Sequence, residues 1–196
     1  MKRSHQKKKR INPYLGYGLL IVLVCIQYGK DSLYFNNGGG GKNWRIGAPL
    51  VNPVSAFPGR TLSELRQQAL LLVNRDRKLN GLPPLREDPL IAHTAQKHAD
   101  DMVNRNFYAH VNPDGQSPTD RYRANGGIGG IGENIVYQDR WPGVVLSYGL
   151  AERFQRSWMY SEGHRKNLLT PGYTKFGYGI SIDRVTGKVY AVQNFQ

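Results

Sequence analysis

The spacing of the apolar residues changes once along this chain of 196 residues, close to its C-terminus. Upstream, three segments carry apolar residues at helical spacing, and Asp88 followed by Pro89 is typical of a helix start. These segments are TLSELRQQALLLVNRDRKL, EDPLIAHTAQKHADDMVNRN and GVVLSYGLAERFQRSWMYS. Downstream, YTKFGYGISIDRVTGKVYAVQNF alternates apolar and polar residues around Thr186 and Gly187, which predicts a β-hairpin. Helices followed by strands predict an α+β domain built in layers.

A basic and then apolar segment precedes these helices. Residues 1–10 contain six Lys or Arg, and residues 11–29 are mostly apolar, with tyrosines near both ends. A basic tip before an apolar stretch predicts an export signal whose cations stay in the cytoplasm. No small-residue cleavage site follows, so we expect an uncleaved membrane anchor with the domain outside the cytoplasm. A cleaved signal peptide, which would leave the domain secreted, is the alternative.

Composition divides the chain into three parts. Residues 1–30 form the basic tip and the apolar signal segment, and residues 31–60 are rich in Gly, Pro and Asn without periodicity, which predicts a linker. Residues 61–196 form the predicted folded domain. The single cysteine, Cys25, lies in the first part, so we expect the domain to be held by its core, without a disulfide or a thiolate metal site.

The net charge of +13 comes mostly from the first sixty residues. Residues 1–60 hold ten Lys or Arg and one acid, whereas residues 61–196 hold seventeen Lys or Arg and thirteen acids. The predicted domain is therefore only mildly basic, and it has no stripe of cations interleaved with aromatic residues. We expect a monomer that binds no nucleic acid.

Three polar residues in loop-like segments are candidates for a site. His110 follows the second predicted helix, Glu133 lies in the glycine-rich run GIGGIGENIV, and His164 lies in SEGHRKNLL. Two imidazoles and a carboxylate could hold zinc or another divalent cation, or do acid–base work, if the three segments converge. His93 and His98 share a helix but are five positions apart, so we interpret both as structural. The glycine-rich run lacks the context of a phosphate or dinucleotide loop, and no serine lies in a nucleophile-elbow motif.

Taken together, these segments resemble the CAP superfamily, the SCP/PR-1-like secretory proteins, and in particular its bacterial branch without disulfides. The matching pieces occur in the family's order and cover nearly all of the predicted domain. They are LVNRDRKLNGLPPL, AQKHADDMVNRNFYAHVNPDGQSPTDR, GENI, RFQRSWMYSEGHRKNLL, FGYGIS and YAVQNF.

The resemblance implies a three-layer α-β-α sandwich with a central cleft. It places His110, Glu133 and His164 in that cleft, together with Asn134 of GENI and Ser161. In members with the full set, a second glutamate completes a tetrad and the two histidines can hold a divalent cation. Here Ser161 occupies that glutamate's position, three residues after Trp158, so the resemblance implies weaker cation binding at His110 and His164.

Three hypotheses of function follow, in order of preference. The first is a binding module, without turnover, whose cleft holds a lipid, a peptide or a cell-wall glycan. No cofactor is required for this binding, and the cleft holds its ligand with or without a divalent cation such as Zn²⁺. The second is a metal-assisted hydrolase or peptidase in which Glu133 is the general base, with His110 and His164 holding the metal. In the third, the polar residues only tie the loops to the sandwich. The family itself implies no shared reaction.

Overall fold

Five helices and four strands follow one another in the part of the chain that the structure describes, residues 44–50, 59–139 and 144–196 of a computed structural model. These residues all belong to one unit, Tyr34–Gln196. The elements are α1 (Leu62–Leu79), β1 (Arg86–Glu87), α2 (Pro89–Asn104), α3 (Pro118–Ala124), β2 (Gly132–Gln138), α4 (Tyr148–Tyr160), α5 (Glu162–Leu168), β3 (Lys175–Ile182) and β4 (Val189–Phe195).

The polar residues that precede the first two helices cap them. Thr61 and Glu64 form a capping box at the start of α1, each accepting a hydrogen bond from the other's backbone N–H. At the start of α2, the Asp88 side chain accepts from the backbone N–H groups of Leu90 and Ile91, and Pro89 occupies the first turn. The predicted helix start at Asp88 and Pro89 is therefore confirmed.

The four strands form one mixed sheet in the order β1-β3-β4-β2. Strands β3 and β4 are the predicted hairpin, and β2 pairs antiparallel with β4 so that Glu133 lies opposite Asn194. All seven residues of β4 are buried, including Gln193 and Asn194. The polar positions of β4 therefore face the interior, because both faces of this strand are covered.

Helices cover the sheet on both faces and give two separate cores. One core joins α1 and α4 to the sheet through residues such as Leu72, Trp158 and Tyr178. The other lies under α2 and contains Ala95, Ala99, Met102, Ile135 and Val192. This arrangement confirms the predicted α+β fold, a three-layer α-β-α sandwich.

Two glycines of β3 let α2 lie directly on the sheet. A Cβ atom at Gly177 would collide with the backbone of Ile91 and Ala92, and one at Gly179 would collide with the backbone of Ala95. Only glycine leaves room for so close an approach of two backbones.

Residues 44–50, inside the predicted linker, differ from that expectation. Trp44 and Ile46 are buried in the core over α1 and α4. The Gly47 backbone N–H donates to the Asp76 carboxylate at 2.9 Å, and the Arg165 guanidinium lies 4.5 Å from the centre of the Trp44 ring. Glycine and proline content alone did not predict these contacts. The expectation of a spacer does not hold for this segment, which is part of the folded unit.

Four further elements were not predicted, and the start of one helix was misplaced. Helices α3 and α5 have seven residues each, β2 follows the glycine-rich run, and β1 has only two residues. The third predicted helix is α4, which begins after the capping residue Ser147 and ends at Tyr160. The predicted basic tip, the apolar segment and Cys25 lie outside the described residues. Among the residues that are described, no helix is long and apolar enough to cross a membrane.

Candidate functional site

Glu133 is the centre of the candidate site. Its side chain is 1% exposed and lies on the edge strand β2. One carboxylate oxygen, Oε1, accepts a hydrogen bond from Nδ1 of His110 at 2.9 Å. The other, Oε2, accepts from the Arg121 guanidinium at 2.8 Å and, at 3.2 Å, from the Asn194 side-chain amide when its nitrogen faces the carboxylate. Both oxygens are therefore used by neighbouring donors.

Arg121 joins three segments around this carboxylate. The residue is 7% exposed and lies on α3, whose start is fixed by a capping box between Ser117 and Asp120. Besides Glu133, its guanidinium donates to the backbone carbonyls of His110 at 2.7 Å and Gln116 at 2.8 Å. The sequence prediction did not include Arg121. The pattern SPTDR, a capping box directly after a turn, was the available signal for a short helix there.

The contact with Glu133 determines that Nδ1 of the His110 ring carries a hydrogen. A carboxylate is only an acceptor, so Nδ1 of His110 carries the hydrogen that it donates. The second ring nitrogen, Nε2, makes no hydrogen bond with any described residue, and the side chain is 50% exposed. In the neutral ring Nε2 therefore has a free lone pair that can accept a proton, a hydrogen bond or a metal ion.

His164 lies on α5 rather than on a helix end. Helix α4 stops at Tyr160, and α5 begins immediately at Glu162, so Gly163 lies inside α5. The sequence SEGHR allowed a second interpretation, in which Gly163 ends the preceding helix as a left-handed cap, but Gly163 is not among the glycines with positive φ. Burial lowers the pKa of the His164 imidazole, and the positive charge of protonated His110 lowers it further.

Ser161 contacts His164 in the position where the family's second glutamate is expected. Its hydroxyl oxygen lies 2.8 Å from Nδ1 of His164. A hydroxyl can donate or accept, whereas a carboxylate only accepts. The Ser161 hydroxyl can therefore accept from Nδ1 of His164 or donate to it, so both neutral tautomers of the His164 ring are compatible with this contact. The neighbouring Glu162 is exposed, as expected from its position on the helix.

Two asparagines fasten α5 to the strand that carries Glu133. The Asn134 amide donates to the backbone carbonyl of His164 at 3.1 Å. The Asn167 amide donates to the Asn134 side-chain oxygen at 2.9 Å and to the backbone carbonyl of Glu133 at 3.0 Å. The structure thus brings His110, Glu133, Asn134, Ser161 and His164 into one connected cluster.

The two histidines of α2 differ in environment. His93 is exposed, whereas His98 is fully buried. His98 Nε2 lies 3.0 Å from the carbonyl of Ala109, so it donates there, and it lies 3.9 Å from Oε1 of Glu133. The spacing of residues in the sequence did not predict that His98 lies close to the Glu133 carboxylate.

The donor set limits what the cluster can hold. Over residues 44–50, 59–139 and 144–196, no three His, Cys, Asp or Glu side chains are grouped as ligands for one metal ion. Within the cluster, the Glu133 and Ser161 side chains contact Nδ1 of His110 and Nδ1 of His164, which leaves the Nε2 atom of each ring for a metal ion or ligand. Neutral imidazole nitrogens are suitable zinc ligands, but a structural zinc site normally has four protein ligands.

Solved structures share this arrangement of layers. The crystal structure of an extracellular protein containing a SCP domain from Bacillus anthracis str. Ames matches with a TM-score of 0.54 and 35% sequence identity. The match covers 68% of this chain and 40% of that one. The fold is therefore that of SCP domains.

A family model identifies the chain. The model described as CAP, the cysteine-rich secretory protein family, matches residues 70–195, which is more than half of the chain. The chain belongs to the CAP family, and its single cysteine fits the branch without disulfides. The resemblance stated from the sequence motifs is confirmed.

Two relatives from Bacillus subtilis (strain 168) are themselves uncharacterised. The protein YkwD is 32% identical over 133 residues, which cover 67% of this chain and 48% of YkwD. The membrane protein YlbC is 34% identical over 136 residues, which cover 69% of this chain and 35% of YlbC. The chain thus spans about half or less of the length of the curated relatives it matches.

Proposed function

We propose that this protein is an extracytoplasmic CAP-domain binding module in which His110 and His164 contact a ligand through their Nε2 atoms. The observation that carries the proposal is the set of hydrogen bonds that the buried Glu133 carboxylate already accepts. The donors of these hydrogen bonds are His110 and Arg121. A carboxylate held in this way orients an imidazole and is poorly placed to take a proton from water.

A divalent cation fits this site in part. Each imidazole has its Nδ1 held by a side-chain oxygen, Glu133 for His110 and Ser161 for His164, as is common for histidines that bind metals. The chain would supply two ligands, so water or the bound molecule would complete the coordination. A bound cation would offer a positive charge to a carbonyl or anionic group of the ligand. The ligand itself is a lipid, a peptide or a cell-wall glycan.

The proposed location rests on the leader and on the relatives. Residues 1–30 have the composition of a signal anchor, and YlbC is named a membrane protein. The Bacillus anthracis protein is described as extracellular. Both support a domain outside the cytoplasm, attached to the membrane by the N-terminal segment or secreted after cleavage.

Titration of the full chain with Zn²⁺ tests the proposal. Loss of one indirect contact to a metal typically costs 10–100-fold in affinity, so the double variant His110→Ala, His164→Ala should lose more than about tenfold. His93→Ala is the matched control, because His93 is an exposed histidine of the same domain. The control should bind as the wild type does. Equal binding of Zn²⁺ and of the candidate ligands by the double variant would reject the cleft assignment.

The hydrolase hypothesis requires Glu133 to act on water. It predicts turnover of peptide or ester substrates that is abolished by a chelator and by Glu133→Gln. The contacts of Glu133 with Arg121 and His110 favour the binding module instead. A chelator-sensitive activity that Glu133→Gln removes, while the variant still binds Zn²⁺, would reverse this preference.

A further inference from the structure

A line of three buried amide side chains runs from the candidate site to the Asp76 carboxylate on α1. The Asn134 amide donates to Oε1 of Gln193 at 3.3 Å, and the Gln193 amide donates to Oε1 of Gln155 at 2.9 Å. The Gln155 amide then donates to Oδ2 of Asp76 at 2.8 Å. We call these four residues the amide chain. Each of them is at most 1% exposed.

The amide chain crosses the structure from one helical layer to the edge of the sheet. Asp76 lies on α1, Gln155 on α4, Gln193 on the central strand β4 and Asn134 on the edge strand β2. At its inner end, Asn134 also donates to the carbonyl of His164. At its outer end, Asp76 accepts from Arg75 and from the backbone of Gly47.

The direction of every hydrogen bond in the amide chain follows from Asp76. A carboxylate only accepts, so Gln155 must present its NH₂ group to Asp76 and its oxygen to Gln193. The same constraint then orients Gln193, and Gln193 in turn requires Asn134 to donate. Asn134 is left with its NH₂ group toward His164 and its oxygen toward Asn167.

Four hydrogen-bonded polar side chains are unusual at positions where apolar residues would pack the core equally well. Buried polar side chains add little net stability over apolar residues of similar size, but they favour one arrangement over others. The one arrangement selected here is the attachment of α5, the helix that carries His164, to β2, the strand that carries Glu133.

We infer that Asp76, Gln155 and Gln193 are positioning residues of the candidate site, which set the orientation of the Asn134 amide and hold α5 in place. None of the three touches the proposed ligand-binding atoms. That α5 and His164 belong to a binding site rests on the proposed function. The positioning of α5 by these three residues can be measured without a ligand.

The variant Gln155→Met tests the inference in the full chain, because methionine has a similar length and is a good helix former. Two-dimensional NMR of the Asn134 side-chain amide and hydrogen exchange of the α5 backbone are measured without any ligand. We expect the Asn134 NH₂ signals to shift and the amides of Glu162–Leu168 to exchange faster. Leu72→Ala is the control, since Leu72 is fully buried on the same helix as Asp76 but lies outside the amide chain.

The control separates positioning from general loss of stability. Leu72→Ala should lower the global free energy of unfolding yet leave the Asn134 signals in place. If Gln155→Met does not fold, Gln193→Met interrupts the chain one step closer to the site and keeps the bond between Gln155 and Asp76. The inference is overturned if the folded variant retains wild-type Asn134 signals and α5 exchange, or if Leu72→Ala changes them equally. Absence of Zn²⁺ binding would contradict the proposed function and leave these measurements unaffected.

Discussion

At the scale of single residues, the pair of Arg121 and Glu133 dominates the energetics of the site. Their side chains are 7% and 1% exposed, and their charged atoms are 2.8 Å apart. Removing one partner of a buried ion pair leaves the other charge without compensation, which costs about 3–5 kcal/mol. We therefore expect Arg121→Met to lower the free energy of unfolding by about this amount, measured by urea denaturation.

An exposed arginine provides the comparison for this variant. Arg105 forms ion pairs with Asp101 and Asp114 at the surface, at 2.7 and 2.9 Å. Water and salt screen such pairs, so Arg105→Met should change stability far less than Arg121→Met does. Similar losses in the two variants would contradict the central role given to the buried pair.

Stability should also depend on pH through the buried histidine. Burial lowers the pKa of His98 below its ordinary value of 6.5, despite the nearby Glu133 carboxylate. The unfolded chain therefore binds a proton at a higher pH than the folded protein does, which makes the folded state lose stability in acid. The stabilising contribution is complete above pH 6.5 and is lost as the pH falls from there through the lowered pKa.

Urea unfolding at several pH values measures this dependence. We expect His98→Gln to reduce the slope of the unfolding free energy below pH 6.5, since glutamine does not titrate. The part of the slope that comes from His164, whose pKa is also lowered, should remain. Met102→Leu, a neutral change on the same helix, serves as the control and should keep the wild-type slope. An unchanged slope in His98→Gln would show that other groups cause it.

At the scale of secondary-structure elements, two glycines give opposite expectations for the same substitution. Gly163 lies in the first turn of α5 without positive φ, and a Cβ atom there meets no other atom within 4 Å. Alanine reduces the conformational freedom of the unfolded chain and favours the helix, so Gly163→Ala should stabilise by about 0.5–1 kcal/mol. A left-handed cap at this position would instead make the variant less stable, and thermal unfolding distinguishes the two.

Gly177 is the opposite case. Its added Cβ would overlap the backbone of α2 at Ala92, and the helix backbone cannot yield as a flexible side chain does. We expect Gly177→Ala to destabilise by at least about 1–3 kcal/mol through overpacking. Gly172→Ala is the control, since a Cβ there contacts nothing within 4 Å. A neutral Gly177→Ala would mean that α2 lies farther from β3 than the structure places it.

The elements that could be predicted from sequence are those with a long period or a clear cap. Asp88 identified the start of α2, the helical spacing identified α1, and the alternation around Thr186 identified the hairpin. Helix α5 has seven residues, about two turns, which is too short for a helical period to be visible. Strand β2 begins within the run GIGGIGE, where glycine-rich sequence is typical of loops rather than strands.

The residues of the site likewise divide into those that a sequence motif could identify and those that it could not. Motif resemblance placed His110, Glu133 and His164 together, although spacing alone did not require their segments to converge. Arg121 and His98 were missed as neighbours of the carboxylate, because their contacts depend on how α3 and α2 pack against β2. Contacts of this kind are set by the layers of the fold, and no local sequence pattern encodes them.

At the scale of the whole molecule, the docked segment 44–50 changes where the domain begins. Three of its contacts reach fully or mostly buried charges, at Asp76, Arg75 and Glu152. These charges lie on α1 and α4, which pack together over one face of the sheet. The folded unit therefore reaches at least to Trp44, sixteen residues before Arg60 where the sequence predicted the linker to end.

The variant Trp44→Ala tests whether this segment is an integral part of the fold. Trp44 is 7% exposed, packs edge-on against Tyr160 and lies under the Arg165 guanidinium. Truncating a buried tryptophan costs about 3–5 kcal/mol, and the position of Trp44 near the surface places the expected loss at the lower end of that range. Leu50→Ala, in the same segment but 47% exposed, should have little effect. Urea unfolding of the full chain compares them. If the two variants lose equal amounts of stability, residues 44–50 are part of the linker and not of the fold. If Trp44→Ala loses much more, any tether to the membrane must end before Trp44.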